Sequence, residues 1–105
     1  MSNYELVREQ VNQYYTDKGY HVKSGFKYGS DFILYKSGDE EHKHGVALVL
    51  IHDNDSTLPI QGEIASFVRL ADSVKKKALF VTYTTREIKI FQLENKMHKR
   101  LPRKR

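Results

Sequence analysis

The chain has 105 residues, 39% apolar and 30% charged, a size and balance that suit one globular domain with a single core. It has no cysteine, which excludes a disulfide framework, a thiolate metal site and a cysteine nucleophile, and its longest apolar run, residues 46–51, is far short of the ~20 residues of a membrane span. The net charge of +5 is localised: residues 1–95 hold 12 Lys/Arg against 13 Asp/Glu, whereas residues 96–105 hold six Lys/Arg and no acid. A block of cations attracts polyanions through phosphate contacts and counterion release, or serves only as a solvated end. The opening Met-Ser-Asn-Tyr-Glu lacks the basic and apolar regions of a signal peptide, so an intracellular setting is expected.

In chain order, Ser2 or Asn3 is placed to cap a first helix. Tyr4, Val7, Val11 and Tyr14, with Tyr15, recur at helical spacing and predict its core face, with Gly19 as its stop. Residues 20–23 alternate apolar and polar and read as a strand, with His21 toward solvent. Residues 24–29 carry two glycines and read as a turn. Residues 31–36 form the next predicted strand, with Phe32 and Leu34 on one face and Ile33 and Tyr35 on the other. A polar loop over 37–43 leads to the apolar run 46–51, a strand predicted to be buried on both faces. A second helix is expected over 61–75, its buried stripe formed by Ile64, Phe67, Val68, Ala71 and Val74. Arg69 and Lys76, seven residues apart, are expected near one line of that helix or its end. Residues 78–83 and 88–93 close the pattern as two strands joined by a short hairpin link. The order α-β-β-β-α-β-β predicts an α/β (α+β) domain, a compact mixed β-sheet with flanking helices. Residues 1–95 are read as that domain and 96–105 as a basic tail.

The chemistry narrows by elimination. Five histidines are present, and His42 and His44 with Asp53 or Asp55 could offer metal ligands, but a zinc site needs three or four that converge. A metal-dependent nuclease needs clustered carboxylates; Asp31 could be one, yet residues 46–51 supply neither acid nor lysine. There is no Gly-x-Ser-x-Gly elbow and no glycine-rich loop leading into a helix. What remains is a metal-free set: Tyr35, His44 and a lysine of the run Lys75-Lys76-Lys77. RNA carries its own nucleophile, the 2′-hydroxyl. Its cleavage needs a base, an acid for the departing 5′-oxygen and a cation on the phosphorane oxygens, roles open to Tyr, His and Lys. A free tyrosine has a reference pKa of ~10, so such a base needs a cation beside it.

Three blocks carry a family resemblance: Gly25-Phe26-Lys27-Tyr28-Gly29-Ser30-Asp31-Phe32-Ile33-Leu34-Tyr35, then His44, then Arg69-Leu70-Ala71-Asp72-Ser73-Val74-Lys75-Lys76. In order and spacing the chain, from about Tyr14 to Tyr83, resembles the catalytic domain of the tRNA-splicing endonucleases, a restriction-endonuclease-like fold. The resemblance implies Tyr35 as general base, His44 as general acid and Lys76 as the cation that stabilises the transition state. It also implies Arg69 as a residue that stacks on a substrate base; Lys75, where the family usually has arginine, and Lys77 are read as further substrate contacts. His42 competes with His44, which is preferred because the apolar strand begins two residues after it. Family membership implies metal-independent cleavage of precursor tRNA at a bulge-helix-bulge or related intron site, with 2′,3′-cyclic phosphate and 5′-hydroxyl ends and no cofactor. It implies a four-unit assembly, so a bare catalytic domain needs copies of itself or a structural subunit, and residues 88–93 offer an edge strand for that pairing. The location would be cytoplasmic in an archaeon, nuclear or cytoplasmic in a eukaryote. The alternatives are a non-catalytic structural subunit of the same complex, or a small metal-dependent DNA-junction nuclease.

Overall fold

The computed structural model describes residues 3–38, 44–55 and 61–94. His42 and the basic segment 96–105 therefore lie outside the described residues. The elements are α1 (Asn3–Asp17), β1 (His21–Ser24), a 3₁₀ turn (Phe26–Tyr28), β2 (Phe32–Tyr35), β3 (Gly45–Asp53), α2 (Gln61–Ser73), β4 (Lys77–Tyr83) and β5 (Ile88–Leu93). The predicted order α-β-β-β-α-β-β holds.

The five strands form one sheet in the order β1-β2-β3-β4-β5. All neighbours are antiparallel except β3 and β4, which run parallel because α2 carries the chain back between them. Side chains alternate across the sheet and sort into two cores. Phe32, Leu34, Ala47, Val49, Ile51, Val81 and Tyr83 pack with Val7, Val11 and Tyr15 of α1. Ile33, Leu48 and Ala78 pack with Phe67, Val68 and Ala71 of α2, with Tyr28 and Tyr35 partly buried against them. The molecule is a three-layer sandwich with β3 at its centre, where Leu48 and Val49 are fully buried on opposite faces. This is why residues 46–51 read as a continuous apolar run.

The helix stripe is narrower than its spacing suggested. Val7, Val11 and Tyr15, each four apart, are the buried residues of α1, while Tyr4 and Tyr14 are exposed. Tyr14 lies one residue, about 100°, around the helix from Tyr15 and turns outward. Helix α2 also ends two residues earlier than expected, at Ser73.

The glycine-flanked turn is built by close approach. Tyr28 and Ser30 donate their backbone N–H groups to the Gly25 carbonyl, and Gly29 takes the left-handed conformation at φ 69°. A Cβ on Gly25 would stand 2.2 Å from Ser30 Oγ and 2.8 Å from the Phe32 backbone, so only glycine fits. The buried Ser30 hydroxyl bridges the carbonyls of Gly25 and Phe32 at 3.2 Å each. Asp31 then locks the turn to the centre of the sheet. Its N–H donates to the Val49 carbonyl, and its Oδ2 accepts the Ile51 N–H at 2.7 Å, a donor that β2 is too short to reach. The Tyr4 hydroxyl donates to Oδ1. Arg8 of α1 donates to the Asp31 carbonyl and lies 4.4 Å over the Phe32 ring. The carboxylate that the sequence offered as a metal ligand is thus a structural acceptor.

Candidate active site

Topology gathers distant residues at one end of the sheet. Since β2 runs antiparallel to β1 and β3, the start of β1, the end of β2 and the start of β3 coincide. The parallel partner β4 also starts there, and the antiparallel β5 ends there. Tyr35 closes β2, His44 immediately precedes β3, and Lys76 immediately precedes β4.

The register adds a local device. Leu34 pairs with Ala47 but Tyr35 pairs with Gly45, so β3 holds one extra residue, Val46, opposite the end of β2. Such a bulge re-aims the side chains around it. Val46 is turned toward the α1 core, and Gly45 faces the α2 side with Tyr35. A Cβ on Gly45 would meet Ile33 Cδ1 at 2.6 Å and Lys76 Cε at 3.0 Å. The Lys76 side chain therefore runs directly across Gly45, the residue that pairs with Tyr35 and follows His44. Its ammonium ends 5.7 Å from the centroid of the Tyr28 ring, a cation–π contact.

The helix terminus delivers Lys76 to this position. Lys76 N–H donates to the Ala71 carbonyl and Lys75 N–H to Asp72, the paired bonds of a Schellman motif. The left-handed residue that such a motif requires is Lys75, at φ 60°, in place of the usual glycine. Lys76 therefore does not continue the helical line from Arg69, as the seven-residue spacing had suggested. Arg69 stands exposed on α2, while Lys76 is folded back under the sheet end. Lys75, Lys76 and Lys77 line a groove of about 710 Å³ at this end, with Gly45 in its wall. Tyr35 and His44 are not among its lining residues.

The strand register brings a further imidazole to this end of the sheet. His21 pairs directly with Tyr35 across β1 and β2, which puts both side chains on one face with their Cβ atoms ~5 Å apart. Its alternation signalled a solvent-facing residue, correctly, since it is exposed. Only the pairing register shows which residue it stands beside. His52 is placed elsewhere, stacked 6.2 Å from Phe80 on the β3–β4 ladder. Among the described residues no three His, Asp or Glu side chains are grouped so as to hold a metal ion.

The sandwiched mixed sheet thus brings the positions of Tyr35, His44 and Lys76 to one end, beside a bulge in β3. A sequence model for the "tRNA intron endonuclease, catalytic C-terminal domain" matches residues 6–90, and the chain belongs to that family. The tRNA-splicing endonuclease of Methanothermobacter thermautotrophicus is 42% identical over 80 residues, covering 74% of this chain and 43% of that protein. The tRNA-splicing endonuclease of Methanococcus vannielii is 38% identical over 71 residues, covering 68% and 40%. That of Picrophilus torridus is 35% identical over 88 residues, covering 75% and 29%. The chain thus spans less than half the length of these relatives.

Proposed function

We propose that this chain is the catalytic unit of an RNA endonuclease that cuts precursor tRNA at intron–exon junctions without a metal ion. The observation that carries the reading is Lys76 lying across Gly45, the residue that pairs with Tyr35 and directly follows His44. In this reading Tyr35 removes the proton of the 2′-hydroxyl. The freed oxygen attacks the adjacent phosphorus, and the bond from phosphorus to the 5′-oxygen breaks. His44 gives its proton to that departing oxygen, and Lys76 stabilises the negative oxygens of the phosphorane. The products are a 2′,3′-cyclic phosphate and a 5′-hydroxyl. A tyrosine base needs a cation beside it, and this reading gives that second part to Lys76 as well. Arg69, Lys75 and Lys77 are assigned to substrate contacts.

Residues 1–95 form the catalytic domain in this reading and 96–105 a basic tail. The assembly surface is β5, one of the two edge strands. It is exposed along nearly its whole length and carries Ile88, Ile90 and Phe91 toward solvent. An unpaired apolar edge templates pairing with another strand, here a second copy or a structural subunit. No helix among the described residues is long and apolar enough to cross a membrane.

The test is cleavage of a precursor tRNA in excess EDTA, with the chain alone and with candidate partner subunits. Cleavage in EDTA that leaves a cyclic phosphate, and is lost in His44→Ala, is the expected result. Cleavage only with Mg²⁺ would overturn the proposal. Absence of cleavage with every partner would favour a structural subunit.

A further inference from the structure

The groove beside Lys76 extends beyond any residue assigned to the reaction. Its walls include Lys18 and Lys36 as well as Lys75, Lys76 and Lys77. These five cations come from four places in the chain: the end of α1, the end of β2, the α2 terminus and the start of β4. Two carboxylates, Asp72 and Glu94, share the walls. Lysines at such density repel one another and stay together at a cost unless an anion is shared among them.

Two features hold the cations in place. Both helices end in Schellman motifs that point at this groove. In α1, Tyr20 N–H donates to the Tyr15 carbonyl and Gly19 N–H to Thr16, with Gly19 left-handed at φ 96°. That fixes Lys18 just before the turn, its ammonium 5.1 Å from the Tyr14 ring centroid. In α2 the equivalent motif fixes Lys75 and Lys76. A helix C-terminus carries partial negative charge, and Lys18, Lys75 and Lys76 lie just beyond the two helix ends. Even with both termini and the carboxylates of Asp72 and Glu94 counted, five lysines leave this corner net positive.

We propose that this groove is a second RNA site: it takes the phosphate backbone of the strand leading away from the cleavage point, around the end of the sheet, with Lys18 and Lys36 as its distal cations. The inference rests on the nuclease reading above and deepens it. Lys76 stands at the junction, with its Cε on the Gly45 side and its residue in the groove wall. The strand passes from there between Lys36 and Lys77 toward Lys18. The groove is open, with an apolar floor from residues such as Leu34, Val46 and Leu93 and five lysines in its walls, an arrangement that fits a backbone read as a line of charges.

The test measures binding of a precursor tRNA carrying a 2′-deoxy nucleotide at the cleavage position, which prevents cleavage, as a function of KCl. The wild type is compared with Lys18→Ala/Lys36→Ala and with Lys23→Ala, which removes an exposed cation outside the groove. Losing two phosphate contacts lowers the slope of log K against log[KCl] by about 1.4 to 1.8 in the double variant. Lys23→Ala is expected to keep the wild-type slope. An unchanged slope in the double variant, or an equal loss in Lys23→Ala, overturns the proposal. An unchanged slope with an altered oligomeric mass in sedimentation also overturns it and assigns the groove to an acidic protein segment. If the wild type cleaves no precursor tRNA yet the slope still depends on Lys18 and Lys36, the groove stands and the catalytic reading falls.

Discussion

Lys76 and Gly45 are in contact through the absence of a side chain: the Lys76 Cε occupies the space where a Gly45 methyl group would need to be, 3.0 Å away. The same methyl would stand 2.6 Å from Ile33 Cδ1, inside the α2 core. Gly45→Ala is therefore expected to destabilise the fold by about 1–3 kcal/mol, as overpacking does, and to displace the lysine. Denaturant unfolding measures the first effect. Cleavage per folded molecule, expected to fall at least about tenfold, measures the second, since an ångström of misplacement at a catalytic group costs that much or more. Gly62→Ala is the control: nothing lies within 4 Å of a Cβ there, and a helical alanine gains up to about 1 kcal/mol.

Lys75 presents a trade between stability and binding. A non-glycine residue at φ 60° costs about 1 kcal/mol, which glycine does not incur. Lys75→Gly is expected to raise the unfolding free energy by that amount while removing one groove cation. The salt slope for RNA binding should then fall by about 0.7 to 0.9. A variant that is more stable with an unchanged slope would remove Lys75 from the substrate contacts.

Asp31 separates a structural carboxylate from a metal ligand. In Asp31→Ala, both the Ile51 N–H and the Tyr4 hydroxyl lose their acceptor. The expected loss is about 1–3 kcal/mol of stability, read by thermal or denaturant unfolding. Added Mg²⁺ should restore nothing, and the folded fraction should cleave at the wild-type rate. Rescue by a divalent cation would return Asp31 to the role of ligand.

Alkaline stability reports on Tyr15. Burial, with smaller effects from Tyr14 and Tyr20, pushes its phenol from 10.0 up to about 12. Below pH ~10 the phenol is protonated in both states and its contribution is complete. Between about 10 and 12 the unfolded chain ionises and the folded one does not, so stability falls by about 1.4 kcal/mol per pH unit. Tyr4 and Tyr83, also raised by burial, add in the same direction. Tyr15→Phe should lose less stability over that range. Equal pH dependence in both proteins would show that the ring is not shielded.

Much of the architecture is legible from pattern. The period-2 alternation of Phe32, Ile33, Leu34 and Tyr35 predicted which two faces they occupy, and the two cores divide them that way. Gly19 marked the end of α1 because glycine takes the left-handed position most easily. The same rule could not find the end of α2, where a lysine holds that position under strain. Tyr14 was misplaced because a tyrosine pair at 14 and 15 fits the helical spacing either way, and packing against the sheet chose Tyr15.

Composition, alternation and local motifs determined by themselves the order of elements and the central buried strand, and they offered Tyr35, His44 and Lys76 as candidates for metal-free phosphodiester chemistry. These are properties of near neighbours in the chain, set by propensity and side-chain period. Tertiary structure alone decided that His21 stands opposite Tyr35, that a bulge at Val46 sets Gly45 beneath Lys76, and that five lysines from four elements share one groove. Each depends on strand register and on the parallel return of β4 along β3, where contacts form between residues tens of positions apart. No periodicity along the chain encodes such contacts.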